Sequence, residues 1–327
     1  MEYRQLGRSG VRVSTIGLGS WLTYGRSVDE RTAHACLSRA YELGVNFFDT
    51  ADVYARGEAE RTLGRWLGGI PRTGVVVATK VYFPMGDGPN DRGLSRKHIV
   101  ESCHASLQRL GLDYVDLYQC HRYDDSVPLE ETLGALDDLV TRGDVLYVGV
   151  SEWTAEQMRA ALRLQEERGL RRLVSNQPQY SLVARRIEQE VLPLCRREGV
   201  GQVIWSPLGG GVLTGKYPPG EAAPAGSRGA DPDASPFMLR VLEGDLLQAV
   251  RRLEREVAEP RNLTVGQLSL AWALHQEGIT SAIVGATRPE QVEENVAAAQ
   301  VELGEDALAR VDEIMGPFAL RAQAPSS

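Results

Sequence analysis

The chain has 327 residues, 43% of them hydrophobic and 24% charged, with a formal net charge of -8 at pH 7. That balance describes a globular protein able to bury a sizeable core. It argues against a surface made to hold nucleic-acid phosphates or to enter a membrane.

The longest apolar runs are strand-sized, too short to span a bilayer. Met1-Glu2-Tyr3-Arg4 lacks the apolar segment of a secretory signal. Cys36, Cys103, Cys120 and Cys195 are widely spaced, with no CxxC pair. Reduced thiols in a cytoplasmic protein are therefore expected.

In chain order, residues 2–13, with Gly7 and Gly10 in the middle, predict a hairpin that could plug the bottom of a barrel. Eight short runs rich in Val, Ile, Leu and Phe then read as strands buried on both faces: 15–19, 45–49, 75–80, 115–121, 145–151, 173–177, 201–205 and 281–284. Helical patterns lie between them. Residues 28–43 stop at Gly44. Ile99, Cys103, Leu107 and Leu110 form one stripe ended by Gly111, and Pro128 suits the start of another helix. Residues 207–236, rich in Gly and Pro, predict a long binding loop, residues 305–316 a last helix, and residues 318–327 a flexible tail. The pattern predicts one α/β domain over 1–327, a (β/α)8 TIM barrel with an N-terminal β-hairpin and a C-terminal extra helix. A doubly wound sheet is the rival, but no early GxGxxG follows a strand.

Chemistry in such a barrel sits at the C-terminal ends of the strands. Three successive predicted strands end at Asp49, Lys80 and His121, and Tyr54 follows Asp49 by five residues. Each has an ordinary alternative: a chance Asp-x4-Tyr, a solvated lysine, a core histidine. Their shared position favours a site that protonates a carbonyl oxygen. Tyr54 would be the acid. Lys80 would lower its pKa from about 10, and Asp49 would hold Lys80. His121 would be a second donor to the same oxygen, and no metal is needed.

The second half offers a cofactor site. Trp205 ends the seventh strand, where its ring could stack on nicotinamide or simply fill the core. Lys216 and Arg228 lie in the long loop, placed to clamp phosphates. Gly285-Ala286-Thr287-Arg288-Pro289 opens a helix whose N-terminus suits a phosphate. Trp21, Tyr24, Tyr82, Phe83 and Arg122 follow strands one, three and four and are expected to line the substrate mouth. Arg122 either meets an anionic group such as a phosphate or pairs with Asp124 or Asp125.

Asp49, Tyr54, Lys80 and His121, with Gly44-Val45-Asn46-Phe47-Phe48-Asp49-Thr50-Ala51 and Trp205-Ser206-Pro207-Leu208, resemble the aldo-keto reductase superfamily over nearly the whole chain. Gly211-x3-Gly215-Lys216-Tyr217 and Gly285-Ala286-x4-Gln291-x2-Glu294-Asn295 are similar to the branch of bacterial reductases related to the β subunits of voltage-gated potassium channels. The resemblance implies a TIM barrel that binds NADPH and reduces aldehydes or ketones. Tyr54 would be the acid, Lys80 and Asp49 its tuning pair, and His121 the substrate orienter. Ser151 and Gln177 would bind the nicotinamide carboxamide, Trp205 would stack on its ring, and Lys216 would meet the pyrophosphate. Arg228, Thr287, Gln291, Glu294 and Asn295 would hold the adenosine end. Gly19, Trp21, Asp49, Ser206, Pro207, Leu208, Gly210, Gly285 and Arg288 complete the expected contacts. Two positions depart from the superfamily pattern. Glu152 stands where many members place Asn. Gly285 and Gln291 stand where many present Lys and Arg, which leaves NADP preference to Arg228 and Arg288. A second functional reading is a partner or redox sensor that holds NADPH and turns over slowly.

Overall fold

Strands buried on both faces need cover on both, and parallel strands joined by helices supply it. The computed structural model of the chain describes residues 1–21, 23–25, 28–230, 242 and 244–319. Its barrel strands are β3 (Ile16–Gly19), β4 (Phe47–Asp49), β5 (Val76–Val81), β6 (Val115–Cys120), β7 (Val145–Ser151), β8 (Leu173–Gln177), β9 (Gly201–Trp205) and β10 (Ile279–Val284). They pair in parallel, in chain order, and β10 also pairs with β3, so the sheet closes. Closure rules out the open, doubly wound alternative. The predicted strands match within a few residues at each end; the last begins two residues earlier, at Ile279.

The N-terminal hairpin pairs β1 (Tyr3–Gln5) with β2 (Arg12–Ser14). Leu6 and Val13, both fully buried, pack against Phe47, Val76, Ala78, Leu117, Val203 and Ile283. Gly7, at φ +59, fits so tightly that a Cβ would meet the carbonyl oxygens of Val174 and Gly199 at 2.6 and 2.5 Å. The hairpin thus plugs the end where β8 and β9 begin and leaves the other end free for chemistry.

Helices α1 (Glu30–Glu42), α2 (Glu58–Leu67), α3 (Arg96–Leu110), α4 (Leu129–Arg142), α5 (Ala155–Arg168), α6 (Val191–Glu198), α7 (Gly244–Leu253), α8 (Val265–His275), α9 (Pro289–Ala297) and α10 (Glu305–Met315) accompany the barrel. Their ends follow local chemistry. Asp29 caps α1 by accepting from Thr32 N at 2.8 Å, while α3 stops at Gly111 in the left-handed region. Of the expected long loop, residues 207–230 are described and 231–236 lie outside the described residues, as does the tail from 320 on. No described helix is long and apolar enough to cross a membrane. All four cysteines are buried with free thiols.

Candidate active site

Asp49 is the last residue of β4, and the chain then turns sharply to present Tyr54. Ala55 and Arg56 adopt left-handed φ of 49° and 52°, and Gly57 follows at 88°. Such conformations cost an L residue about 1 kcal/mol or more, so surrounding contacts must hold the turn. A Cβ at Gly57 would meet Arg109 Cδ at 2.6 Å. Arg109 Nε in turn donates to Glu60 Oε2 at 2.6 Å, and Thr79 Oγ1 donates to Glu60 Oε1 at 2.6 Å. The turn is therefore braced by α2, α3 and the residue just before Lys80.

Lys80 is fully buried, and its ammonium uses all three donors. It donates to Asp49 Oδ1 at 2.6 Å, to the Thr50 carbonyl at 2.7 Å and to Tyr54 Oη at 3.3 Å. Because Tyr54 oxygen accepts from Lys80, the Tyr54 hydrogen remains free to point elsewhere. Burial pulls the Lys80 pKa down, but the Asp49 carboxylate and the Tyr54 oxygen outweigh it, and the net shift is upward. Lysine stays charged. The expected lowering at Tyr54 is overturned: Lys80 does pull its pKa down, but burial and Asp49 push harder the other way, and the phenol lies above its usual value. Tyr54 accordingly keeps its proton.

His121 is 7% exposed, its ring 5.7 Å from that of Tyr54 between centroids, and its Nδ1 is buried with no partner among the described residues. Burial, helped by Lys80 and Arg122, holds its pKa well below the usual value, so the imidazole is neutral and donates one N–H. Phe83 packs edge-on against His121 at 4.9 Å, and Tyr82 against Phe83 at 5.2 Å, forming an aromatic wall. Arg122 lies beside it, its guanidinium 5.4 Å from the Phe83 centroid. The expected pairing of Arg122 with Asp124 or Asp125 does not form. Asp124 instead accepts from the backbone N–H groups of Leu94 and Ser126 and from the Ser126 hydroxyl. Tyr24, also expected at the mouth, is 2% exposed and part of the core cluster. Trp21 does stand open, 42% exposed, and meets Trp205 edge-on at 5.8 Å.

On the cofactor side, Ser151 donates to the Gln177 carbonyl at 2.8 Å, and Gln177 Nε2 donates to Asp49 Oδ2 at 2.9 Å. The two residues expected at the carboxamide are thus tied to the tetrad itself. After Trp205 the backbone turns left-handed at Ser206, whose Oγ accepts from Gly210 N at 3.1 Å. Pro207 is buried and Leu208 half-buried as the chain enters the turn Gly209–Thr214. At Gly211, φ +99 favours glycine, and Lys216 Cε and Nζ lie close by, 2.7 Å from where a Cβ would stand. Arg228 is half-buried beside Trp21 and Gly285, and burial lowers its pKa. Neither Lys216 nor Arg228 has an acidic partner among the described residues. Cations left this way, beside a glycine-rich turn, fit a polyanion such as a dinucleotide pyrophosphate.

Other expected residues are committed to the protein. Gly19 abuts Ile283, where a Cβ would meet Cγ2 at 2.6 Å. Thr287 N and Oγ1 donate to Gln291 Oε1, Glu294 Oε1 accepts from Thr264 Oγ1 at 2.8 Å, and Asn295 is buried on α9. Arg288 is largely exposed near Glu290, so the half-buried cation is Arg228.

Two residues went unassigned in the sequence. Gln119 Nε2 reaches Asp49 Oδ2 at 3.4 Å; a buried polar side chain two residues before His121, on the same strand face, was the available signal. Glu152, at φ 60°, accepts from Trp205 Nε1 at 2.7 Å and from Gln179 N at 2.6 Å. It fastens the indole ring.

The chain is 43% identical over 304 residues to a probable voltage-gated potassium channel subunit beta of Arabidopsis thaliana, covering 92% of each chain. It is equally similar, over the same share, to one of Oryza sativa subsp. japonica. A putative subunit of the same kind from Schizosaccharomyces pombe is 42% identical over 332 residues, covering 99% of this chain and 96% of the relative. Residues 15–315 match the model of the aldo/keto reductase family, whose members are oxidoreductases that generally bind NADP(H), and the chain belongs to that family.

Proposed function

We propose that the protein reduces aldehyde or ketone carbonyls to alcohols with NADPH, using Tyr54 as the proton donor. The observation that carries this reading is the saturation of Lys80. With all three N–H groups committed, the ammonium fixes the Tyr54 oxygen and leaves its hydrogen for a substrate. NADPH supplies the hydride. Tyr54 donates its proton to the carbonyl oxygen as the carbonyl carbon is reduced, and recovers one from solvent. The charge that builds on Tyr54 is met by Lys80, whose own counter-ion is Asp49. Neutral His121 gives the same oxygen a second hydrogen bond. Trp205, held by Glu152, offers a flat face for the nicotinamide, and Lys216 and Arg228 meet the phosphates.

The test compares NADPH and NADH oxidation against 4-nitrobenzaldehyde in wild type and Tyr54→Phe. Turnover with NADPH that falls by about 10²–10⁴ in the variant is expected. Equal rates in the two proteins would remove Tyr54 from the chemistry, and a preference for NADH would remove the phosphate role of Arg228. A second reading is an NADPH-holding partner protein that turns over slowly, and the relatives' names, potassium channel β subunits, favour the partner part of it. One turnover per bound nucleotide followed by a stall, with the nucleotide retained through gel filtration, would support it.

A further inference from the structure

On the carbonyl side of the site, the charges of Lys80 and Asp49 answer each other, and beside His121 stands a further cation, Arg122. It follows His121 directly. Its Nη1 donates to the His121 carbonyl at 2.5 Å, and its guanidinium lies over Phe83. Those contacts aim the group without neutralising it. A guanidinium has five N–H donors, and one is spent here. The nearby acids do not compensate it. Asp124 is occupied by Leu94 and Ser126, Asp125 is exposed and makes no ion pair with it, and among the described residues no carboxylate lies within ion-pair distance of Arg122. Its charge is also felt where the chemistry would occur, since it helps hold the His121 pKa low and opposes the rise at Tyr54. A half-buried arginine, stacked, fixed at one nitrogen and lacking an acid, is arranged for bidentate contact with a carboxylate or phosphate.

We infer that Arg122 recognises an anionic group on the substrate, so that the protein favours aldehydes or ketones carrying a carboxylate or phosphate a few bonds from the carbonyl. This rests on the reductase reading above. The aromatic wall of Tyr82 and Phe83 would cover the short apolar span between the two groups, while Tyr54 and His121 hold the carbonyl oxygen.

Matched substrates test it: 4-carboxybenzaldehyde against its methyl ester, and glyceraldehyde 3-phosphate against glyceraldehyde, each with wild type, Arg122→Met and Arg122→Lys. In wild type the anionic member of at least one pair should have the higher kcat/KM. In Arg122→Met that anionic-to-neutral ratio should fall about tenfold or more, mainly through KM, with Arg122→Lys in between. The pair with the larger change identifies carboxylate or phosphate as the preferred group. A ratio unchanged in Arg122→Met overturns the inference, as does a loss of kcat common to both members, which would make Arg122 an aid to the developing oxyanion. If wild type reduces none of the four compounds, the reductase reading fails first. Arg122 is then judged by binding of benzoate and of inorganic phosphate to the NADP-loaded protein, followed by tryptophan fluorescence. Weaker binding of either anion in Arg122→Met supports anion recognition, and equal binding of both overturns it.

Discussion

Lys80 and Arg228 are both cations expected at the site, yet one has every donor satisfied within the protein and the other meets no acid among the described residues. Around Lys80 the barrel strands β4, β5 and β6 bring Asp49, Gln119 and His121 together, all of them buried. Arg228 lies instead in the short turn Arg228–Ala230 of the long loop, beside Trp21 and Gly285. The first region is finished before any ligand arrives, which suits groups whose geometry must be right for proton transfer. The second leaves positive charge without an acidic partner among the described residues, which suits the proposed role in holding a phosphate. Stability and affinity should therefore separate between the two.

The largest effect is expected from Lys80→Met. It strands the Asp49 carboxylate in the interior, and losing one member of a buried pair costs about 3–5 kcal/mol. The shift in urea midpoint measures this, and Asp49→Asn added to the same chain should recover part of it. A midpoint close to wild type would mean that Gln177 and Gln119 alone can carry the carboxylate.

Arg228→Ala should do the reverse. NADPH affinity is expected to weaken about tenfold, the size of a lost charge-assisted contact, while the unliganded melting temperature hardly moves. Isothermal titration of wild type and variant, repeated at higher salt, would show it, because the wild-type affinity should be the more salt-sensitive. A variant that melts early but binds normally would erase the contrast.

A smaller effect concerns Asp52, fully buried behind Tyr54 with Oδ2 unpartnered and Oδ1 accepting from Val53 N. Burial, assisted by Glu60, pushes its pKa to about 8, with Arg109 and Lys80 pulling the other way. Its unfolded value is about 3.9, so between these pH values the folded chain keeps a proton that the unfolded chain has released. Stability contributed by Asp52 is thus present below about pH 4 and lost as pH rises to about 8. Asp52→Asn should raise the melting temperature at about pH 9 by roughly 2 °C or more relative to its effect at about pH 5. Equal shifts at both pH values would show that the proton on Asp52 is not what the fold depends on.

Much of the first region was legible in the chain, because strands buried on both faces are continuous apolar runs and a polar residue ending one stands out. Asp49, Lys80 and His121 were visible in this way. The bracing of Tyr54 was not: Gly57, Glu60, Arg109 and Thr79 lie far apart in sequence, and only the packing of α2 against α3 and β5 brings them together. The placing of Tyr24 met a related limit. An aromatic residue in a loop after a strand can face the mouth or the core, and nothing local separates the two. Glu152 showed only as a departure from a familiar pattern until its contact with Trp205 appeared.

The sequence by itself determined the alternation of strands and helices, the glycine stops, and the residue types gathered at one end of the barrel, since each follows from periodicity or from the backbone freedom of one residue. Tertiary structure alone decided which charges are answered and which are left open. Whether Lys80 lowers the Tyr54 pKa enough to beat burial, whether Arg122 finds an acid, and where Gln177 donates depend on distances of a few ångströms between distant segments. Such distances are fixed only when the barrel closes.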